Sequence, residues 1–134
     1  MEDALDLKGR LEETLEALRN RTRELMVAIA MQAETRLAYE AALDDLADAR
    51  ARAVREGLEG RNEQARQAEI LEKTREEEER VRSARAAYRM AEASLEMARV
   101  AWAVEKEAIR ALTALLERGA EAPQIKARVR EAEA

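Results

Sequence analysis

The sequence predicts an all-α fold, a long antiparallel helical hairpin of the coiled-coil type. Helix-breaking residues are few, and two of the four glycines stand close together at Gly57 and Gly60 in the middle of the chain. Apolar residues recur at heptad spacing on both sides of this pair. The composition agrees, since 40% of the 134 residues are charged and alanine, glutamate, arginine and leucine dominate. No sustained alternation of apolar and polar residues supports a β-sheet.

The first predicted helix runs from about Leu11 to Glu56. Its apolar residues follow steps of four and three, which is typical of a helix with one packed stripe. Polar residues interrupt the stripe at Gln32, Arg36 and Arg50. The positions assigned to it are Leu11, Leu15, Leu18, Thr22, Leu25, Ile29, Gln32, Arg36, Tyr39, Leu43, Leu46 and Arg50.

The stretch EGLEGRNEQARQAE, which begins at Glu56, predicts a turn over residues 57–62. Gly57 stands where a left-handed residue closes a helix, and Gly60 is expected to adopt a second unusual φ angle. Asn62 is expected to cap the next helix. A connection this short makes the two helices lie side by side and antiparallel.

The second predicted helix runs from about Glu63 to Arg118, because Gly119 and Pro123 follow as breakers. Residues 123–134 are predicted to form a short helix or a tail. Large residues recur every seven positions with small ones between them, which predicts close helix packing. The stripe consists of Val81, Ala84, Tyr88, Ala91, Leu95, Ala98, Trp102, Ile109, Leu112 and Leu116.

The chain is interpreted as a single helical domain over residues 1–134. With the turn as its centre, the hairpin is predicted to place Leu18 near Trp102 and Met31 near Tyr88. A lone pair of helices buries little apolar surface, so further packing is expected.

A second apolar stripe is predicted on another side of helix two. It is formed by Met90, Met97 and Val104, and small residues such as Ala101 connect it to the first stripe. A helix that is apolar over so much of its surface must be covered on more than one side. We expect Met90, Met97, Ala101 and Val104 to form an oligomer interface that completes a four-helix bundle by dimerisation. The alternative is a three-helix bundle with a folded-back terminal segment.

The residues offer little support for catalysis. Histidine and cysteine are absent, so imidazole and thiol groups are missing, and the serines have no base partner. The run from Glu76 to Glu79 is interpreted as a solvated face, because consecutive helical residues point in different directions. The sequence therefore predicts a protein that is not an enzyme and that has no cofactor.

Arginines near the predicted turn provide the alternative to a purely protein-binding role, because they could contact phosphates. Acidic residues lie among them and no aromatic residue is interleaved to stack a base, so a salt-bridged surface is the favoured interpretation. The candidate nucleic-acid contacts are Arg50, Arg52, Arg55, Arg61 and Arg66.

The expected compartment is the cytoplasm. No apolar run approaches the roughly 20 residues that cross a bilayer, and the acidic start MEDALDLKGR does not resemble a secretory signal. A membrane partner is therefore not expected. Abundant glutamate and arginine without cysteine would suit a thermophile.

The segment GRNEQARQA resembles the G-(K/R)-N-x-x-x-R-x-A turn of small helical proteins encoded by bacteriophages and prophages. The signature positions correspond to Gly60, Asn62, Arg66 and Ala68. The resemblance implies a small accessory protein of the host cytoplasm, often encoded beside replication or recombination genes and mostly without an assigned activity.

The function expected from the sequence is that of a non-enzymatic coiled-coil module that oligomerises or binds another protein. The expected partners are a second copy of the chain and a protein that the sequence does not identify. The alternative is a nucleic-acid-binding accessory of replication or recombination that acts through the arginines.

Overall fold

A computed structural model describes the backbone of residues 4–133 and the side chains of residues 4–119. It contains three α-helices, α1 (Ala4–Glu56), α2 (Glu63–Lys73) and α3 (Arg75–Glu133). The described residues form no strand. The predicted all-α hairpin is confirmed, because α1 and α3 pack against each other as antiparallel helices.

The chain divides into two compact units, to each of which both long helices contribute. One unit comprises Met1–Met26 and Glu96–Ala134, and the other comprises Val27–Leu95. In the first unit the indole Nε1 of Trp102 donates a hydrogen bond to Thr22 Oγ1 at 3.2 Å. In the second unit the rings of Tyr39 and Tyr88 stack with centroids 6.0 Å apart and planes that differ by 1°. Helix packing thus joins α1 to α3 within each unit.

The stripe predicted on helix two is the packed face of α3. Val81, Ala91, Leu95 and Leu112 are buried. The other members of the stripe, Ala84, Tyr88, Ala98, Trp102, Ile109 and Leu116, are half-buried. Large residues at heptad spacing predicted this face correctly.

The stripe predicted on helix one was wrong at five of its twelve positions. Leu15, Ile29, Arg36, Leu43 and Arg50 are exposed, because smaller residues occupy the positions next to them in the packed face. Small side chains on α1 leave room for the larger ones on α3. The packed face of α1 includes Leu7, Leu11, Thr14, Leu18, Thr22, Leu25, Ala28, Gln32, Thr35, Tyr39, Ala42, Leu46, Ala49 and Ala53.

The pairing of the two helices also differs from the prediction. Tyr88 stacks on Tyr39 rather than packing against Met31, which is exposed. The reason lies in the turn, where Lys73 Nζ approaches the Gly57 carbonyl oxygen at 3.4 Å. Residues 57–62 therefore run back along α2, and the end of α1 lies beside the end of α2 instead of its beginning.

Thr74 separates α2 from α3, which the sequence predicted as one helix. Its Oγ1 and its backbone N–H both donate to the Ile70 carbonyl oxygen, at 2.8 and 3.0 Å. Threonine side chains that bond back to this carbonyl commonly bend helices. Thr14, Thr22 and Thr35 make similar bonds inside α1 without interrupting it, but Thr74 alone is almost fully buried, with 1% of its surface exposed.

The outer ends of the long helices extend beyond their predicted limits. α1 begins at Ala4 rather than at about Leu11, and α3 continues past Gly119 and Pro123 to Glu133. Glycine and proline disfavour a helix by about 1 and 3 kcal/mol relative to alanine. The flanking alanine, glutamate and arginine are strong helix formers, so these penalties do not end α3. The side chains of residues 123–134, which are predicted to form a short helix or a tail, lie outside the described residues.

Candidate functional site

The turn contains the first group of candidate residues, and Gly57 opens it. Its φ angle is +94°, and its backbone N–H donates to the Val54 carbonyl oxygen at 3.2 Å. A left-handed residue directly after a helix is the position that glycine fills without steric cost. The predicted role of Gly57 is confirmed.

Asn62 begins α2 in the predicted manner. It has an extended conformation, with φ −135° and ψ 170°, and its Oδ1 accepts the backbone N–H of Ala65 at 2.8 Å. The Asn62 carbonyl oxygen accepts the N–H of Arg66 at 3.0 Å and so starts the helical bonding pattern. The bond to Asn62 Oδ1 satisfies the Ala65 amide, which would otherwise lack a partner at the start of the helix.

Gly60 is needed for a reason that differs from the predicted one. Gly57 is the residue with positive φ in the described chain, so Gly60 does not supply a second unusual angle. A Cβ at Gly60 would instead lie 2.7 Å from the backbone nitrogen of Arg66 and 2.9 Å from the carbonyl carbon of Ala65. The loop approaches the α2 backbone so closely that no side chain fits between them.

Glu69 fastens the loop to α2, a role that the sequence analysis missed. Its carboxylate accepts the backbone N–H of Glu59 at 2.9 Å and that of Gly60 at 3.1 Å. The hydrogen bond from Glu59 is the main cause that lowers the pKa of Glu69, with help from Gly60 and from Lys73 and with partial burial acting against it. A contact across ten positions has no local signature, since capping patterns concern residues three apart.

The five candidate arginines fall into two groups. Arg50 forms an ion pair with Glu78, and Arg66 donates from Nε to the Gly60 carbonyl oxygen at 3.0 Å. Within the described residues, Arg52, Arg55 and Arg61 have neither an ion pair nor a hydrogen bond from the side chain. The first two arginines therefore stabilise the hairpin, and the other three remain available to a ligand.

The turn motif has a structural explanation at three of its four signature positions. Gly60 allows the close approach, Asn62 caps α2, and Arg66 ties the loop to that helix. Ala68 is exposed. The chemistry of the motif is that of a tight helical turn.

The acidic run at the start of α3 is matched by arginines. Glu76 lies 3.7 Å from Arg80, Glu79 lies 3.7 Å from Arg82, and Glu78 pairs with Arg50. Among the described residues, no three acidic side chains are grouped so that they could hold a metal ion. The depression beside Glu76, Glu79, Arg80, Ser83 and Ala84 is shallow and largely open to solvent.

The predicted interface residues form the second candidate group. Met90 is exposed on α3 within the unit formed by residues 27–95. In the other unit Met97 is 73% exposed and Val104 is 61% exposed, whereas Ala101 is half-buried.

The apolar row of α3 in the unit that contains Glu96–Ala134 is longer than the sequence analysis recognised. We call it the outer stripe, and it consists of Met97, Ala101, Val104, Ala108, Ala111 and Leu115. Its members are separated by steps of four and three, and none is polar or charged. The charged residues of this part of α3 lie at other positions around the helix. The spacing alone could have revealed Ala111 and Leu115, because they continue the heptad pattern.

Comparison of the chain with models of known protein families, with curated proteins and with solved structures gives no match. No helix in the described part of the chain combines the length and the apolarity that crossing a bilayer requires.

Proposed function

We propose that the chain is a non-enzymatic protein-interaction module that packs the outer stripe of α3 against a helix of another polypeptide. The observation that carries this proposal is the exposure of Met97 and Val104 in an uninterrupted apolar row. Val100, beside the row, is also more than half exposed. An isolated exposed apolar residue needs no explanation, but a contiguous row is typical of a binding surface.

The heptad spacing of the outer stripe specifies the kind of partner. Residues at alternating steps of four and three form one straight seam along a helix, which another helix can match along its length. Ala101, Ala108 and Ala111 let the backbone of a partner approach closely. An extended strand or a small molecule would not use a row of this length and period.

A photo-reactive side chain tests the proposal directly. p-Benzoylphenylalanine at position 104 should cross-link the protein to another polypeptide, either in purified form or in an extract of its source cells. The same group at position 103, an exposed alanine that lies beside the stripe, is the matched control. Equal cross-linking at the two positions would contradict the proposal.

Nucleic-acid binding is the second candidate function. It is favoured by the three arginines near the turn, Arg52, Arg55 and Arg61, that lack an acidic partner among the described residues. Arg50 and Arg66 are engaged within the hairpin and would contribute less. The signature residues Gly60, Asn62 and Arg66 add no support, because they serve the turn itself.

Salt-dependent DNA binding distinguishes this second candidate. If the arginines contact phosphates, the logarithm of affinity should fall linearly with the logarithm of salt concentration. Reversal of Arg52, Arg55 and Arg61 to glutamate should abolish binding, whereas the same reversal at Arg23, Arg89 and Arg99 should not, although the net charge changes equally. Absence of binding by the wild-type protein at about 50 mM salt would remove this candidate.

A further inference from the structure

We propose that the partner of the outer stripe is a second copy of this chain, packed antiparallel about a two-fold axis level with Lys106. The inference rests on the proposed function and names the occupant of the same surface. In this arrangement Met97 faces Leu115 of the second copy, Ala101 faces its Ala111, and Val104 faces its Ala108. Each contact occurs twice, as an isologous interface requires.

The order of side-chain sizes along the stripe argues for a second copy. The two largest residues, Met97 and Leu115, stand at the ends, and small residues occupy most of the centre. Two helices that cross at a small angle are closest at the crossing point and diverge towards the ends. A stripe that is small in the middle and large at both ends therefore complements its own reversed copy.

The centre of the stripe fits the antiparallel direction better than the parallel one. Antiparallel pairing places Val104 against an alanine on both sides of the axis. Parallel pairing would place Val104 against Val104 in one layer and would leave alanine against alanine in the next two heptad layers. The antiparallel arrangement distributes volume more evenly and avoids gaps in the seam.

The surroundings of the stripe are compatible with a continuous core. Ala101 and Ala108 are half-buried beside the seam that α3 forms with α1, so a second copy would extend that seam into a bundle. The Lys106 side chain would not meet Lys106 of the second copy, because its Nζ lies over the Trp102 ring of its own chain, 5.0 Å from the centroid. Glu107, at the border of the stripe, is paired with Arg110 at 2.9 Å.

Cysteine cross-linking determines both the partner and the direction, because the chain contains no cysteine of its own. Val104→Cys and Ala108→Cys proteins should form a disulfide-linked mixed dimer when they are combined and oxidised. Each variant alone should form little, since the two sulfur atoms would lie too far apart. Ala103→Cys combined with Ala108→Cys is the matched control, and circular dichroism of each variant establishes that it is folded.

Light scattering of the full chain provides the second measurement. The wild type should have the mass of a dimer, and Met97→Glu should raise the dissociation constant at least about tenfold, because a buried carboxylate without a partner is unfavourable. A monomeric mass up to about 100 μM, well above the dissociation constants of stable complexes, would overturn the inference. A disulfide dimer formed by Val104→Cys alone would overturn the antiparallel direction.

The failure of this inference and that of the proposed function lead to different results. A monomeric protein whose position 104 cross-links to a different polypeptide would overturn the second-copy partner and leave the interaction module intact. A monomeric protein whose position 104 cross-links to nothing would overturn both. A dimer that forms the mixed disulfide supports both.

Discussion

The two long helices share a packed seam, yet they build it from residues of different size. α3 contributes large residues such as Val81, Leu95 and Leu112, whereas α1 contributes alanine at positions such as Ala28 and Ala53. At the same time α1 exposes larger residues, for example Ile29 and Leu37. Burial in this protein therefore follows a residue's position around the helix and not its size. The same substitution at two identical residues in different positions tests this conclusion.

Two leucines of α1 should show the largest difference. Leu46 is 5% exposed and Leu43 is 38% exposed, although the sequence assigned both to one stripe. Leu46→Ala should lower the free energy of unfolding by about 2–5 kcal/mol, because it leaves a cavity in the packed face. Leu43→Ala should lower it by about 1 kcal/mol or less, since solvent already reaches that side chain. Urea denaturation followed by circular dichroism measures both values.

Equal losses at the two leucines would contradict the observed register of α1. Equal losses are what the predicted stripe implies, since it contained both leucines, and a larger loss at Leu43 would contradict the observed register as well. The single substitution Leu37→Ala, at a residue that is 65% exposed, serves as the control for the helix propensity of alanine.

The register of α1 was difficult to predict because the strongest apolar residues do not define it. A sequence pattern weighs Leu15 and Ile29 more heavily than Thr14 and Ala28, although the smaller residues of each pair lie in the packed face. Which small residue is buried depends on the side chain opposite to it, and that information is in α3. The stripe of α3 was predictable because its large residues repeat every seven positions without interruption.

Two glycines should respond in opposite directions to the same added methyl group. Gly60→Ala should destabilise the protein by about 1–3 kcal/mol, because the new Cβ would clash with the backbone of Arg66. Gly9 lies inside α1 with nothing within 4 Å of a Cβ, so Gly9→Ala should stabilise the protein by up to about 1 kcal/mol. Thermal unfolding of both variants under identical conditions measures the two shifts.

Gly57→Ala adds a second reference point to this test. Its φ of +94° disfavours any side chain even though space is available, and a loss of about 1–2 kcal/mol is expected. A stabilising effect at Gly60 would mean that the loop does not lie against α2.

The turn was predictable where its chemistry is local. Gly57 and Asn62 act on neighbouring backbone groups, and their residue types reveal these roles. Gly60 and Glu69 act across six to ten positions, because the loop folds back along α2, and no local pattern contains that path. Because the loop folds back along α2, the observed pairing of α1 with α3 also differs from the predicted one.

Glu69 and Glu72 of α2 should differ in how pH affects the stability of the turn. This effect should be smaller than those at the leucine and glycine pairs. Hydrogen bonds from the loop lower the pKa of Glu69 in the folded protein, so its contribution to stability is complete above the ordinary glutamate pKa. That contribution is lost as the pH falls through the lowered pKa, in the range below about pH 5. Glu69→Gln should therefore be less stable than the wild type at neutral pH, and the difference should shrink towards pH 3. Glu72→Gln, at an exposed residue of the same helix, is the matched control.

Amide exchange of Glu59 and Gly60 locates this effect, because their N–H groups donate to the Glu69 carboxylate. In the wild type their protection should decrease between about pH 5 and pH 3, after correction for the intrinsic exchange rate. In Glu69→Gln both amides should exchange faster at neutral pH, since a neutral amide accepts hydrogen bonds more weakly than a carboxylate does. Unchanged protection of both amides in Glu69→Gln would mean that the loop is held by Asn62, Arg66 and Lys73 without Glu69. The position of Glu69 beside the loop would then not explain a difference in pH-dependent stability between the Glu69 and Glu72 variants.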